Sequence, residues 1–222
     1  MWFETHLHTR IGSEDGSITE EELASWVAAS GAGGVCLTDH DYVWPKREIA
    51  RLEARLGCVV IQGVEVSTDL GHVLAFGLEE YRPGIHRIEV LRREIDRVGG
   101  VMVLAHPFRH HLSAHYRYGG TPPGLPPWER VLEWPVFRYV DALEACNGSG
   151  VDAEEAAVRR VAAELGLPVT GGSDAHRADR LGLCVTRVLG EVRSQRAFCE
   201  AVRAGACEAL DRRGGGGCPG SG

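Results

Sequence analysis

Short apolar runs alternate with amphipathic stretches along this chain of 222 residues, and this alternation constrains the fold more than any other feature. Gly33–Thr38, Val101–Ala105 and Pro168–Gly172 are short apolar runs that are typical of buried strands. Asp152–Leu165 has the apolar spacing of a helix, and Gly166 follows it as a stop signal. The repeated strand-then-helix order predicts an α/β fold with a largely parallel sheet and crossover helices.

The same patterns predict the remaining elements. The further predicted strands are Trp2–His8, Cys58–Ser67, His72–Leu78 and Val140–Ala145. The further predicted helices are Thr19–Ser30, Pro45–Leu56, Ile85–Val98 and Ser194–Ala204. Thr19 and Glu22 have the spacing of a capping box, which fixes the start of the first helix.

Two segments follow neither pattern. Residues 109–127 contain Pro, Gly, aromatic and basic residues without a period, and a loop this long in a compact domain is usually functional or mobile. Residues 211–222 are rich in Gly and are predicted to form a disordered tail. This division leaves residues 1–210 as one predicted domain.

Charge and cysteine content restrict the function classes. The net charge of −7 argues against non-specific attraction to nucleic acid. The sequence has neither a long apolar run nor a pattern typical of a signal peptide at its start, so we expect a cytoplasmic protein without membrane association. The seven cysteines form no CxxC pair, which predicts free, mostly buried thiols rather than a disulfide framework or a zinc ribbon.

Histidines and carboxylates cluster at the ends of the predicted strands. The candidates are His6, His8, Asp15, His40, Glu65, His72, His106, Asp174 and His176. Most lie at or just beyond a strand end, whereas Asp15 lies in a loop and His72 opens a strand. A single histidine is more often packed or exposed than ligating, but so many at successive strand ends favour one shared site. The carboxyl ends of parallel strands form the rim where α/β active sites assemble. Mixed imidazole and carboxylate ligands suit zinc, manganese or iron, so the sequence predicts a metal centre.

The motifs that carry these residues resemble the signatures of the PHP (polymerase and histidinol phosphatase) superfamily. They are His6-Leu7-His8-Thr9, Asp15-Gly16, Thr38-Asp39-His40, Gly63-Val64-Glu65, Ala105-His106-Pro107 and Ser173-Asp174-Ala175-His176. The resemblance extends over most of the chain, and the motifs occur in the family's order. It implies a distorted (β/α)7 TIM-like barrel in a single domain, with two or three divalent metal ions at its carboxyl rim.

The resemblance also implies how the ligands are divided. The first metal would take His6, His8, Glu65 and Asp174. Glu65 would bridge to a second metal bound by His72 and His106, and a third would take Asp15, His40 and His176. Asp39 is expected to orient a neighbouring imidazole, and Glu144 and Asn147 are expected either to support the ligands or to contact the substrate.

The implied activity is hydrolysis of a phosphate ester of a nucleotide or another small phosphorylated metabolite. The hypothesis is attack by a hydroxide that bridges two metals, with the metals holding the phosphate oxygens. Asp174, His40 and His176 are the predicted catalytic residues, with His40 or His176 as the proton donor to the leaving group. The predicted substrate contacts are Asn147 and three arginines, Arg109, Arg117 and Arg177, which are otherwise read as solvated surface residues.

Alternatives remain open at this point. The same cluster suits a phosphodiesterase or exonuclease that acts on short nucleic acid, with Tyr116 and Tyr118 available for stacking. Histidinol phosphate is another candidate substrate. A non-catalytic metal-binding regulatory module is disfavoured because every motif is intact. Polymerase domains are missing, as is any large insertion between Glu65 and His106, and no obligate protein partner is indicated.

Overall fold

Nine strands form one sheet in the computed structural model, which describes residues 1–113 and 121–214. The strands are β1 (Trp2–Glu4), β2 (Gly34–Leu37), β3 (Val59–Thr68), β4 (Gly71–Phe76), β5 (Val101–Leu104), β6 (Ala142–Asn147), β7 (Val169–Gly172), β8 (Cys184–Val188) and β9 (Cys207–Asp211). Their order across the sheet is β7-β6-β5-β4-β3-β2-β1-β8-β9, so the first seven strands lie side by side in chain order.

The two ends of this seven-strand series meet beyond β1 and β7. Leu7 forms a parallel bridge with Ala175, in which His8 N donates to the Ala175 carbonyl at 2.8 Å and Ala175 N donates to the His6 carbonyl at 3.2 Å. The sheet is therefore nearly closed into a barrel, with β8 and β9 continuing from β1 on its other edge.

Strand directions are mixed. β1, β2 and β3 are parallel, as are β5, β6 and β7, whereas β4 is antiparallel to both of its neighbours. A tight turn at Asp69 and Leu70 joins β3 to β4, which leaves no room for the helix that a parallel connection needs. The mixed α/β fold and barrel-like sheet are confirmed. The strict seven-fold repeat is not confirmed, because the described sheet has nine strands.

Seven helices lie in the described ranges. They are α1 (Glu20–Ser30), α2 (Lys46–Leu56), α3 (Ile88–Val98), α4 (Arg109–Leu112), α5 (Trp128–Leu132), α6 (Asp152–Leu165) and α7 (Gln195–Arg203). Two short 3₁₀ segments span Pro135–Arg138 and Ala178–Arg180. Thr19 and Glu22 form the expected capping box on α1. None of the helices in the described residues has the length and apolar character needed to cross a membrane.

The helices cover the sheet through apolar faces. Ile88, Leu91 and Ile95 of α3 are almost completely buried, as expected from their spacing along one helix face. On α7, the Phe198 ring packs 5.3 Å from the rings of both Phe3 and Phe76. Burial of each such side chain contributes about 1.5–3 kcal/mol. This packing fixes the strands whose ends carry the site.

The structure corrects three details of the sequence reading. The segment 109–127 begins with α4, so its first four residues are helical rather than part of a loop. Asp211 is the last residue of β9, and Arg213 pairs with Glu155 at 3.0 Å, so the predicted tail starts later than residue 211. The rest of that tail, residues 215–222, lies outside the described residues.

The third correction concerns the cysteines. Cys146 of β6 and Cys184 of β8 are joined by a disulfide, although free thiols were expected. Cys146 lies opposite Gly171 in the sheet, and the hydroxyl of Thr186 on β8 bonds the same glycine. A Cβ on Gly171 would lie 2.8 Å from the Val185 carbonyl oxygen of β8 and 3.3 Å from Cys146 Cβ of β6, so the missing side chain lets these strands approach each other. The pairing follows from strand packing, which the sequence spacing of the two cysteines does not reveal.

Candidate metal centre

All nine predicted ligand side chains lie together at one mouth of the barrel. They form three groups in which one potential ligand atom from each residue lies within 4.8 Å of the others. The groups are His6, His8, Glu65 and Asp174; Glu65, His72 and His106; and His8, Asp15, His40 and His176. His6 and His8 follow β1, His40 follows β2, His106 follows β5, and Asp174 and His176 follow β7. Glu65 lies within β3, His72 lies near the start of β4, and Asp15 lies in the loop between β1 and α1.

The first group is buried. Glu65 Oε2 lies 3.1 Å from Nε2 of both His6 and His8. Asp174 Oδ1 lies 3.4 and 3.3 Å from the same two nitrogens. Two imidazole nitrogens and two carboxylate oxygens thus converge on one point, and all four residues are buried.

One atom of this group tests whether a cation fits. Within the described part of the chain, the buried Nε2 of His8 has no hydrogen-bond partner, although it faces two carboxylate oxygens. A buried polar atom without a hydrogen bond costs free energy, and a metal ion at this point would satisfy it. The nitrogen and oxygen donor set is the one that zinc, manganese and iron accept. The residues present therefore fit a divalent ion.

The second group shares Glu65 with the first. Its other oxygen, Oε1, lies 2.9 Å from His72 Nδ1 and 3.1 Å from His106 Nε2. Burial opposes ionisation of Glu65, but the imidazoles around it, His6 first, hold its pKa well below the usual range. This carboxylate is therefore charged and turns one oxygen to each group.

The third group is more open to solvent. Asp15 Oδ2 lies 3.2 Å from His176 Nε2 and 3.5 Å from His40 Nε2. His176 Nδ1 donates to the Asp174 carbonyl at 3.0 Å, which leaves its Nε2 as an acceptor directed at this group. Burial lowers the pKa of His40, which favours the neutral imidazole that a metal requires.

Backbone conformation at two candidate ligands is unusual. His106 has φ of 31° and Asp174 has φ of 52°, both in the left-handed region that non-glycine residues rarely adopt. Such backbone costs free energy and is concentrated at functional sites. Gly172 also allows its backbone to lie close to His6 and Glu144. A Cβ on this residue would lie 2.5 Å from His6 Cβ and 2.7 Å from Glu144 Oε1.

Side chains behind the ligands fix the imidazole rings. Glu144 Oε1 accepts a hydrogen bond from His6 Nδ1 at 2.8 Å, and its Oε2 accepts one from the His106 backbone N–H at 3.0 Å. A histidine held at one nitrogen presents the other to a metal in a fixed direction. Glu144 thus supports two candidate ligands, one of the two roles expected for it.

Asp39 is connected to the His8 imidazole through the hydroxyl of Ser13. Its carboxylate accepts hydrogen bonds from Thr9, Trp44 and the Ser13 hydroxyl, the last at 2.9 Å. The same hydroxyl lies 3.1 Å from His8 Nδ1. The orienting contact expected of Asp39 therefore passes through Ser13, a residue that sequence reasoning did not single out.

Glu4 was also missed. It is completely buried and accepts backbone hydrogen bonds from His6 at 3.2 Å and from Ser173 and Gly182 at 2.9 Å each. Burial raises the pKa of Glu4 to about 7, against the opposing effect of the hydrogen bonds. The sequence did contain a signal, because Glu4 lies two residues before His6 and therefore on the same strand face. The position otherwise resembles an ordinary one in a strand, so the signal was not distinctive.

The residues predicted to contact the substrate have different surroundings. Arg109 is buried, and its Nη2 donates to Asp174 Oδ2 at 2.6 Å and to Asn147 Oδ1 at 2.8 Å. The Arg177 side chain is 72% exposed and pairs with Asp179 at 2.8 Å. Arg117 lies outside the described residues.

The three groups open into a cleft of about 210 Å³. Seven of the nine candidate ligands line it, all except His6 and His8, together with Arg109, His110 and Ser149. His110 and Ser149 were not among the predicted site residues. The cleft thus offers a small space bordered by imidazoles, carboxylates and one buried guanidinium.

Comparison with known proteins gives matches in sequence and in fold. Residues 155–207 match the family model described as PHP-associated. A 3',5'-nucleoside bisphosphate phosphatase from Chromobacterium violaceum is 33% identical over 84 residues, which cover 36% of this chain. The match spans only 29% of that relative's length.

Two solved structures have a similar fold. A two-domain protein from Bacteroides vulgatus, described as containing a predicted PHP-like metal-dependent phosphoesterase, aligns with a TM-score of 0.67 at 19% identity. The alignment covers 95% of this chain and 64% of that one. The lesion-specific endonuclease of Pyrococcus furiosus aligns with a TM-score of 0.55 at 16% identity over 94% of this chain and 57% of its own. The resemblance to the PHP superfamily is therefore confirmed, in sequence by the PHP-associated segment and in fold by the PHP-like structures.

Proposed function

We propose that this protein is a metal-dependent phosphoesterase that hydrolyses a small phosphate ester. The observation that carries the proposal is the position of Glu65, whose two oxygens face two different groups of imidazoles. A carboxylate placed in this way would be able to serve as a ligand to two cations, and pairs of divalent ions supply the Lewis acidity and nucleophile used in phosphoryl chemistry.

Two or three divalent ions of zinc, manganese or iron are the proposed cofactors. His6, His8, Glu65 and Asp174 would hold the first, Glu65 with His72 and His106 the second, and Asp15 with His40 and His176 the third. When bound, such ions supply a water of lowered pKa as nucleophile and offset negative charge on the phosphate.

The chain's own residues perform the remaining tasks. Glu144 and Ser13 fix the His6 and His8 rings, so that the ligand nitrogens do not reorganise during turnover. His40 and His176 are partly exposed at the cleft and stay the proposed proton donors to a leaving alkoxide when the third group holds no metal. The lowered pKa of His40 makes it the less suitable of the two. Among the predicted arginines, Arg117 and Arg177 stay proposals for phosphate contact.

The proposed substrate is a nucleotide or another small phosphorylated metabolite. The small volume of the cleft and the name of the Chromobacterium violaceum relative, which acts on nucleoside bisphosphates, both support this choice. An oligonucleotide end is the second candidate. The Pyrococcus furiosus endonuclease, which shares the fold, is the observation in its favour.

The test is hydrolysis by the purified protein after metal removal and reconstitution with manganese or zinc. We expect turnover of p-nitrophenyl phosphate, and faster turnover of a nucleoside bisphosphate than of a labelled oligonucleotide. Preference for the oligonucleotide would favour the second candidate. A protein that binds no metal and hydrolyses none of these esters would contradict the proposal.

A further inference from the structure

The two oxygens of Asp174 have different surroundings. Oδ1 faces the first metal group, 3.4 Å from His6 Nε2 and 3.3 Å from His8 Nε2. Oδ2 accepts a hydrogen bond from Arg109 Nη2 at 2.6 Å. A charge-assisted bond this short fixes the orientation of the carboxylate. Oδ1 is thus the oxygen of Asp174 that is directed at the first metal group, whereas Oδ2 is directed at Arg109.

Arg109 is itself held from behind. Its Nη2 also donates to Asn147 Oδ1 at 2.8 Å, and Asn147 Nδ2 donates to Glu144 Oε2 at 2.8 Å. Glu144 Oε1 then accepts from His6 Nδ1 at 2.8 Å. A continuous chain of hydrogen bonds therefore connects two candidate ligands, Asp174 and His6. It passes through three side chains that are not candidate ligands themselves, namely Arg109, Asn147 and Glu144.

The members of this chain of hydrogen bonds are buried. Arg109 is 6% exposed, Asn147 5% and Glu144 1%. A buried guanidinium or carboxylate is tolerated only when its geometry and hydrogen bonds are nearly complete, so these side chains hold a defined arrangement. The planar fork of arginine allows a fixed angle between its partners, which a lysine ammonium does not.

We propose that Arg109, with Asn147 and Glu144 behind it, is a positioning residue that holds Asp174 as a one-oxygen metal ligand. The inference replaces the phosphate contact that the sequence suggested for Arg109, and it rests on the proposed metal centre. It assigns Arg109 to the affinity and geometry of the first metal group rather than to the substrate.

The experiment compares Arg109→Met, Arg109→Lys and Asn147→Ala with wild type and with Arg196→Met. Arg196 is an exposed arginine on α7 that pairs with Glu200, so its variant is a matched control for loss of a guanidinium. Each protein is stripped of metal and titrated with Co²⁺, and visible absorption reports affinity and coordination. kcat and KM for p-nitrophenyl phosphate are then measured at saturating Co²⁺.

We expect Arg109→Met to weaken the tightest Co²⁺ site about 10–100-fold and to alter its absorption band, as loss of residues behind metal ligands does. Lysine should restore affinity only in part, Asn147→Ala should give a smaller loss of the same kind, and KM should stay within about twofold of wild type. Arg196→Met should match wild type in every measurement.

Two results would overturn the inference. One is a KM that rises in Arg109→Met while Co²⁺ affinity and absorption stay unchanged, which would make Arg109 a phosphate contact. The other is a folded Asn147→Ala protein with unchanged metal binding; this variant decides the matter if Arg109→Met does not fold. Failure of the wild-type protein to bind Co²⁺ would instead overturn the proposed function, and the inference with it.

Discussion

Glu65 Oε2 lies 3.1 Å from Nε2 of His8, yet these two buried atoms form no hydrogen bond of acceptable geometry within the described residues. Two strands, β1 and β3, bring them together across the intervening β2. Because a buried polar atom without a hydrogen bond costs free energy, this pair of atoms would fit a shared cation. The following predictions test that relationship and the groups that support it.

Replacement of Glu65 by Gln should remove activity almost entirely. The amide keeps the shape but loses the negative charge that two metal groups share, so both should lose affinity. We expect kcat/KM to fall by more than about 100-fold, beyond the range seen for residues behind metal ligands. Metal content after dialysis and hydrolysis of p-nitrophenyl phosphate measure the change.

His8→Ala and His86→Ala provide a matched pair of histidine changes. His8 is buried in the first group, whereas His86 is exposed and bonds the Ser67 carbonyl and Tyr81. The first variant should lose activity by orders of magnitude and the second should keep it. Equal activities of the two variants would show that the buried imidazole has no part in the reaction.

Metal should stabilise the folded protein. Burial alone would lower the pKa of His6, but the surrounding carboxylates, Glu144 first, raise it well above its usual range, so protons compete with metal for this ring. Reconstitution at 100 times the dissociation constant should add about 2.7 kcal/mol to the free energy of unfolding. Thermal unfolding of chelated and reconstituted protein measures this gain.

The gain should shrink at acidic pH, because metal binding must displace a proton from His6. Glu65→Gln should show little of it at any pH. An identical midpoint of unfolding with and without metal at neutral pH would argue that the cluster does not bind the ion used.

Ser13→Ala should impair the site without unfolding the chain. The hydroxyl links Asp39 to His8 Nδ1, and its loss frees the His8 ring to rotate. Activity should fall about 10–100-fold. Ser25→Ala, which removes an exposed hydroxyl bonded to the Glu21 carbonyl, is the control and should behave as wild type. A fully active Ser13→Ala enzyme would remove Ser13 and Asp39 from the orienting role.

Glu4 should make stability depend on pH. Its pKa rises from 4.5 to about 7 on folding because of burial, so the folded state retains a proton that the unfolded state has lost in this window. Its contribution is therefore complete below pH 4.5 and is lost as the pH rises through about 7. The total change is about 3 kcal/mol.

Urea unfolding of metal-free wild type and Glu4→Gln at several pH values checks this sign. The wild-type free energy of unfolding, relative to Glu4→Gln, should decrease between pH 4.5 and 7 and be flat above. A difference that grows with pH would mean that the hydrogen bonds from Ser173 and Gly182 keep Glu4 ionised.

The sequence by itself determined the local structure and the identity of the candidate ligands. The capping box at Thr19 and both ends of α6 follow from residues within a few positions, because helix signals act over one or two turns. Most of the nine candidate ligands were recognisable because they lie at or just beyond the carboxyl ends of parallel strands, which meet at one rim. Asp15, in a loop, and His72, on the antiparallel β4, are the exceptions.

Only the tertiary structure decided how distant segments meet. The reversal of β4, the hairpin of β8 and β9 and the pairing of Cys146 with Cys184 depend on which strands become neighbours, which no local period records. The same holds for Arg109, whose guanidinium suggested a phosphate contact but which donates a hydrogen bond to Asp174 in the folded chain. Local periodicity fixes which face of a segment is buried, whereas side-chain partners depend on packing between segments far apart in the chain.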